Sequence, residues 1–168
     1  MSDIFHAHGP LVEVGVAWLE RLKAAAAASP RRRARLCLHQ APADRVQEMV
    51  IALGRDTQIR PHRHPGRSES IHVLEGAALV VLFDDLGAEL RRLGLGLGPE
   101  EARLYRLSSN TWHTLLPLSE LVVVHEVVEG PFDGGGQEFA AWAPAAEGPE
   151  LAAWLQRVRT GSQRPLDP

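Results

Sequence analysis

The chain has little of several things, and each shortage excludes something. It holds one cysteine, Cys37, in 168 residues, so no internal disulfide framework is possible. Cys37 sits in the apolar run ARLCLH and reads as a buried, inert thiol. Aromatic residues are 5% of the chain, with a single tyrosine, so a core must come from Val, Leu, Ile and Ala. No apolar run reaches the ~18 residues of a membrane-crossing helix. There is no basic excess: 18 Lys and Arg face 21 Asp and Glu, a net charge of -3 with histidine neutral. A broad nucleic-acid surface is therefore not expected. The run RRRAR at 31–35 is the local exception and reads as a solvated connection. The opening MSDIFHAHGP lacks the basic and apolar parts of a secretion signal, so the expected location is the cytoplasm.

What is present is globular composition, 45% hydrophobic and 23% charged. Residues 11–28, LVEVGVAWLERLKAAAAA, carry Leu11, Val14, Trp18, Leu22 and Ala25 at helical spacing, and Ser29-Pro30 ends the run. From residue 36 the pattern becomes short runs rich in Val, Ile and Leu: RLCLH, VQEMVIAL, TQIRPH, SIHVLEG, ALVVLFDD, AELRRL, ARLYRL, WHTLLPL and LVVVHEVV. Gly, Pro, Asp and Ser separate them, the pattern of an all-β sandwich or small barrel. DDLG at 84–87 reads as a hairpin turn. GLGLGP at 94–99 lacks the Gly-Lys-Ser/Thr end of a phosphate loop and reads as a hairpin tip. PFDGGGQEF, 131–139, reads as a loop leaving the barrel. EGPELAAWLQRVRT, 147–160, places Leu151, Trp154, Leu155 and Val158 on one helical face, and Gly161 ends it. No repeat or linker divides residues 1–168, so one domain is expected, with its barrel over about 36–130.

The segment RPHRHPGRSES, 60–70, carries the chemistry. His62 and His64 are two apart and share one side of an extended strand. Glu69 begins the next strand, where antiparallel pairing would set its carboxylate beside the two rings. A fourth ligand is expected from the opposite wall, and His113 in SSNTWHTLL is the candidate. Imidazole and carboxylate together suit one divalent Fe, Mn, Zn, Ni or Co ion. His72, three residues after Glu69, points to the other face. Either His125 or Glu126 must face inward, and Glu126 is a candidate general base or one half of a structural ion pair. Arg60 shares the parity of His62 and could offer a guanidinium to a substrate anion, or lie on the rim. Tyr105 is a candidate acid or base, or a core tyrosine with a bonded hydroxyl. Trp112 faces away from His113 and reads as packing.

The spacing His62, His64, Glu69, Gly76, with His113 some 40 residues on, resembles the two motifs of the cupin superfamily. Asp56 stands where the first motif expects glycine. Ser108 and Asn110 stand for Pro and Gly in the second, and Pro117 for its asparagine. VQEMVIAL, PHRHPGRSESIHVLEG, VVLFDDLG, TWHTLLPL, EVVEGPFD and AAWAPAAEG together resemble the WbuC-type cupin-fold metalloproteins over about residues 11–155. That resemblance implies a double-stranded β-helix (jelly-roll) barrel with flanking N-terminal and C-terminal helices and a bound metal. Gene context in that group implies a sugar or nucleotide-sugar ligand in polysaccharide metabolism, with isomerase or epimerase chemistry. An iron-dependent dioxygenase, or a non-catalytic metal-dependent ligand-binding or sensor domain, are the other readings. A homodimer is expected, through the Trp18 and Trp154 faces, with no nucleic-acid or membrane partner.

Overall fold

Period-two alternation of Val, Leu and Ile decides which side of each strand is buried, and two sheets result. The computed structural model describes residues 3–132 and 136–161. The chain begins with β1 (Ile4–His6), α1 (Val16–Ala28), β2 (Arg33–Cys37), β3 (Val46–Gly54) and β4 (His62–Arg63). It continues through β5 (Glu69–Glu75), β6 (Ala78–Phe83), β7 (Glu89–Leu95), β8 (Leu104–Leu107) and β9 (Trp112–Pro117). It ends with β10 (Leu121–Glu129), β11 (Glu138–Phe139) and α2 (Pro149–Thr160). One sheet has the order β1-β2-β3-β10-β5-β8 and the other β11-β4-β9-β6-β7.

Between the sheets lie Leu53, Ile71, Val73, Val122 and Val124 from the first and Val80, Leu95 and Leu115 from the second, all buried. Each outer face is covered by a helix. Leu22, Ala25 and Ala26 of α1 pack on Ala34, Leu36, Val50 and Val123. Leu151, Leu155 and Val158 of α2 pack on Leu79, Val81 and Leu116. The order helix, sheet, sheet, helix gives three apolar layers. Among the described residues no helix is long and apolar enough to cross a membrane.

The helices differ from the expected spans at their starts. α1 begins at Val16, not Leu11, because Gly15 is in extended geometry and its carbonyl accepts the first helical N–H groups, from Trp18 and Leu19. α2 begins at Pro149, whose missing N–H costs nothing in the first turn. Gly161 ends it in the left-handed conformation, and the Arg92 guanidinium donates to the Val158 and Arg159 carbonyls. Trp18 stacks edge-on against Phe5, while Trp154 packs on Phe83 and Trp142. Both tryptophans make these contacts within the chain and stay half-buried.

One strand expectation and two loop expectations also shift. Residues 57–61 of TQIRPH join no ladder; only His62 and Arg63 do. Side chains hold this stretch instead: Thr57 donates to the Arg32 carbonyl and Thr114 to that of Ile59, each at 2.6 Å. The GLGLGP segment is a crossing from β7 in one sheet to β8 in the other, not a hairpin tip. The Glu101 carboxylate accepts from the Gly98 N–H there, which gives an anion no vacancy. In the loop expected over 131–139, residues 133–135 lie outside the described residues, and Glu138 and Phe139 form β11 on the sheet edge. DDLG does turn β6 into β7: the Asp84 carboxylate accepts from Leu86 and Ala88 N–H groups.

Gly76 is held at φ +79°, and a Cβ there would lie 2.6 Å from the Leu121 carbonyl oxygen. Left-handed strain and a backbone collision then act together. Gly76→Ala is expected to lower unfolding free energy by about 2 kcal/mol or more, read from the urea midpoint at unchanged slope.

Candidate metal centre

Three imidazoles come from one sheet and the carboxylate from the other. His62 on β4 and His113 on β9 are direct register partners. His64 follows β4 two residues after His62, so its ring falls on the same side. The ring centroids are 4.4 Å apart for His62 and His113, 5.2 Å for His62 and His64, and 5.9 Å for His64 and His113. Glu69 opens β5 in the six-stranded sheet and reaches across the interior. The expected walls are therefore exchanged. Glu69 does not pair beside the histidines of β4, because the chain between them passes from one sheet to the other. His113 is their neighbour rather than their opposite. The four potential ligand atoms all lie within 4.8 Å of one another.

Backbone carbonyls orient the rings. Nδ1 of His62 lies 2.8 Å from the Arg60 oxygen, Nδ1 of His64 2.8 Å from Gly136, and Nδ1 of His113 2.9 Å from Thr111. A carbonyl can only accept, so each Nδ1 carries the proton and each Nε2 lone pair is turned inward. His64 Nε2 is 2.9 Å from Glu69 Oε2, and His113 Nε2 is 3.4 Å from Oε1. Lone pairs facing a carboxylate repel unless a positive charge stands between them. That charge is a second ring proton or a metal ion.

The titration directions follow. Burial holds His62 neutral, with its proton affinity lowered to about 3, and neighbouring His113 adds to this. Burial also works against charge on His64 and His113, but Glu69 outweighs it and raises both. Burial would raise Glu69, yet the charges and hydrogen bonds of His113 and His64 bring it well below the usual carboxylate range. Three Nε2 donors and one carboxylate suit Zn, Fe, Mn, Co or Ni better than Mg or Ca. Ligand bonds of about 2.0–2.2 Å set donor separations of roughly 3–4 Å, and the 4.8 Å limit on these four atoms leaves about 1 Å or less of side-chain closing for a bound ion to bring about.

A cavity of about 610 Å³ opens over these four residues. Tyr105, 7% exposed, lines it and donates its hydroxyl to Glu69 Oε1 at 3.0 Å. Burial and the charge of Glu69 raise the phenol well above its ordinary range. Tyr105 thus positions the carboxylate and does not serve as a base near neutral pH. Glu126 also lines the cavity, on the face of β10 that carries Val122 and Val124. It makes no hydrogen bond or ion pair to another described residue, so the structural pair open to it does not form. Its neighbour His125 faces the other way, with Nε2 2.8 Å from a Glu48 carboxylate oxygen on the outer face.

Arg60 lies elsewhere. Its Nε donates to the Pro144 carbonyl at 3.1 Å and its guanidinium covers the Phe139 ring at 4.4 Å, in a smaller adjoining cavity. His72 points outward with Ser70 and Leu74, while Glu69, Ile71 and Val73 point in. Trp112 packs under α2, with its indole N–H on Asp85. The reading of RRRAR as a solvated connection misses three residues: Arg31, Arg33 and Arg35 line the main cavity. The signal for two of them is the spacing, since Arg33 and Arg35 share one face of β2, whereas Arg31 lies in the turn before it.

A family model described as "Domain of unknown function (DUF6016)" matches residues 14–95, a stretch that includes His62, His64 and Glu69 but not His113. Among curated proteins none matches by sequence. Among solved structures, a protein from Shewanella oneidensis aligns with a TM-score of 0.54 at 11% identity, covering 63% of this chain and 72% of that one. CapF, solved with the inhibitor 3-isopropenyl-tropolone, aligns at 0.53 with 15% identity over 66% of this chain and 32% of its own. A recombinant oxalate oxidase in complex with glycolate aligns at 0.50 with 16% identity over 67% of this chain and 57% of its own. The chain spans only part of the last two. These likenesses establish the fold, a cupin jelly roll of two sheets with a helix toward each end.

Two measurements check the donor set. Ala at His62, His64, Glu69 or His113 is expected to strip the metal found by elemental analysis, whereas His72→Ala leaves it unchanged. Tyr105→Phe keeps the ring and removes the donor to Glu69, and is expected to weaken metal affinity by about 10–100-fold in a chelator competition. Because the apolar layers do not involve the four ligands, chelation is expected to lower the melting temperature and leave the β-sheet circular dichroism in place.

Proposed function

We propose that the chain is a divalent-metal-dependent enzyme that moves a proton within a small polyoxygenated substrate, an aldose–ketose type of isomerisation. The observation that carries this reading is Glu126: an inward carboxylate with no partner among the described residues, in the same cavity as the three histidines and Glu69. When bound, the metal supplies a Lewis acid that polarises a carbonyl or hydroxyl oxygen. Glu126 accepts the proton from the hydroxyl-bearing carbon beside that carbonyl and returns it to the former carbonyl carbon, while the hydroxyl proton of the first carbon passes to the former carbonyl oxygen, so that one carbonyl is lost and one is formed. Burial first, and the charge of Glu69 second, raise the Glu126 carboxyl to about 7. A base with that affinity exchanges protons readily near neutral pH. A cation beside it lowers the value, so the rate is expected to rise with pH and level off at or below about 7.

One base on one face favours isomerisation over epimerisation, which needs proton delivery to two faces. Tyr105, the other candidate, is committed to Glu69. The cavity of about 610 Å³ lies within the roughly 300–1,000 Å³ of small-molecule sites. The resemblance of VQEMVIAL, PHRHPGRSESIHVLEG and the later segments to WbuC-type proteins makes a sugar or nucleotide-sugar the first class to test. We read the chain as one unit, with His62, His64, Glu69 and His113 as ligands of a single ion.

The test is proton exchange with solvent. Metal-loaded protein is incubated in deuterium oxide with a panel of aldoses, ketoses and their acid and phosphate derivatives, and NMR follows deuterium entering beside the carbonyl. Glu126→Gln is expected to slow that entry by roughly 10²–10⁴-fold at unchanged metal content. An isotopically silent panel removes the isomerase reading. Oxygen uptake in its place establishes an oxygenase.

A further inference from the structure

The cavity has a positive mouth, and only part of that charge is matched. Arg33 and Arg35 alternate along β2, Arg31 lies in the turn before it, and all three line the cavity. Ala34 and Leu36, of opposite parity, are buried under α1. Arg31 and Arg33 both donate to the one carboxylate of Glu147. Arg35 is exposed, and no carboxylate among the described residues pairs with it; its side chain reaches toward the Cys37 thiol. Asp3, also on the lining, takes the Ser29 hydroxyl. Arg60 is committed to Pro144 and Phe139 in the adjoining cavity.

We infer that Arg35 is the residue that selects an anionic ligand, holding a carboxylate or phosphate group at the mouth while the ligand's reacting oxygens lie over the histidine floor. The inference rests on the reading of that floor as a ligand-binding metal centre. Register sets the length of ligand required. Arg35 pairs with Ile51, and Ile51 pairs with Val124. Glu126 is two residues further along β10. Two strand spacings and one pleat repeat place Arg35 and Glu126 about 12 Å apart at Cα. A long guanidinium side chain shortens that gap, and a six-carbon chain or ring with a terminal anion fills what is left. Arginine suits the task because its planar fork meets both oxygens of a carboxylate or phosphate. Glu147 and Asp3 offset two of the three guanidinium charges at the mouth, and Glu126 lies further in within the field of Arg35, so one guanidinium, outside any closed ion pair, is left to meet an incoming anion.

The experiment compares three probes of one size on metal-loaded protein at fixed ionic strength: D-glucuronate, D-glucose 6-phosphate and neutral D-glucose. Isothermal titration gives each affinity. Wild type is expected to prefer at least one anion over glucose by tenfold or more, and the favoured probe tells carboxylate from phosphate. Arg35→Ala is expected to cut anion affinity by about 10–100-fold, with glucose affinity and metal content unchanged. Arg35→Lys restores a large part of the loss, and Arg60→Ala keeps the preference. The assignment is overturned by an anion preference that survives in Arg35→Ala, by one lost in Arg60→Ala instead, or by no binding of either anion at millimolar concentration. Absence of deuterium exchange alongside an intact Arg35-dependent preference removes the isomerase reading and leaves the anchor standing.

Discussion

A carboxylate 4% exposed has to be compensated, and Glu69 is that carboxylate. Burying an ionised group costs several kcal/mol unless partners replace its water. Tyr105 replaces part of it with one hydrogen bond, and His64 and His113 replace the rest with ring protons or, once these leave, through a shared cation. The three carbonyl contacts at Nδ1 ensure that the rings cannot turn their protonated edges inward and satisfy Glu69 as neutral donors. The interior is thus built to need a positive charge at one point.

The sheets meet that demand by dividing it. The histidines are fixed relative to one another by the pairing of β4 with β9, and the carboxylate by β5 in the facing sheet. The apolar layer that joins the sheets, Leu53, Val73, Val80, Leu115 and Val124 among it, therefore sets the depth of the site. Core packing and ligand geometry become one problem, because a change of spacing between the sheets moves Glu69 and leaves the histidine triangle intact.

Much of this was legible in the sequence for reasons that are local. His-x-His on a strand needs no long-range information to put two rings on one side. The alternation through SIHVLEG separates Glu69 from His72, and Asn110, at φ 67°, accepts the left-handed turn that glycine would otherwise provide. What escaped was relational. Nothing between His64 and Glu69 says that the chain changes sheets there, so adjacency in sequence reads as pairing. RRRAR looked like solvated charge because its partners, Glu147 and the cavity, lie far along the chain. Arg60 had the right parity, but parity does not reveal that Phe139 and Pro144 would claim it. The two-residue β11 has no periodicity to detect, and its place comes from pairing with β4.

The carbonyl that aims His64 belongs to Gly136, and the residues just after it, Gln137 and Phe139, line the cavity. The chain that shapes the entrance is thereby also the bracket of a ligand on the floor. A substitution that reshapes this segment to admit a bulkier molecule would tilt an imidazole in the same movement. On the proposed reading, size selectivity and metal retention are mechanically geared together, and a change at this entrance works against the geometry that would hold the ion.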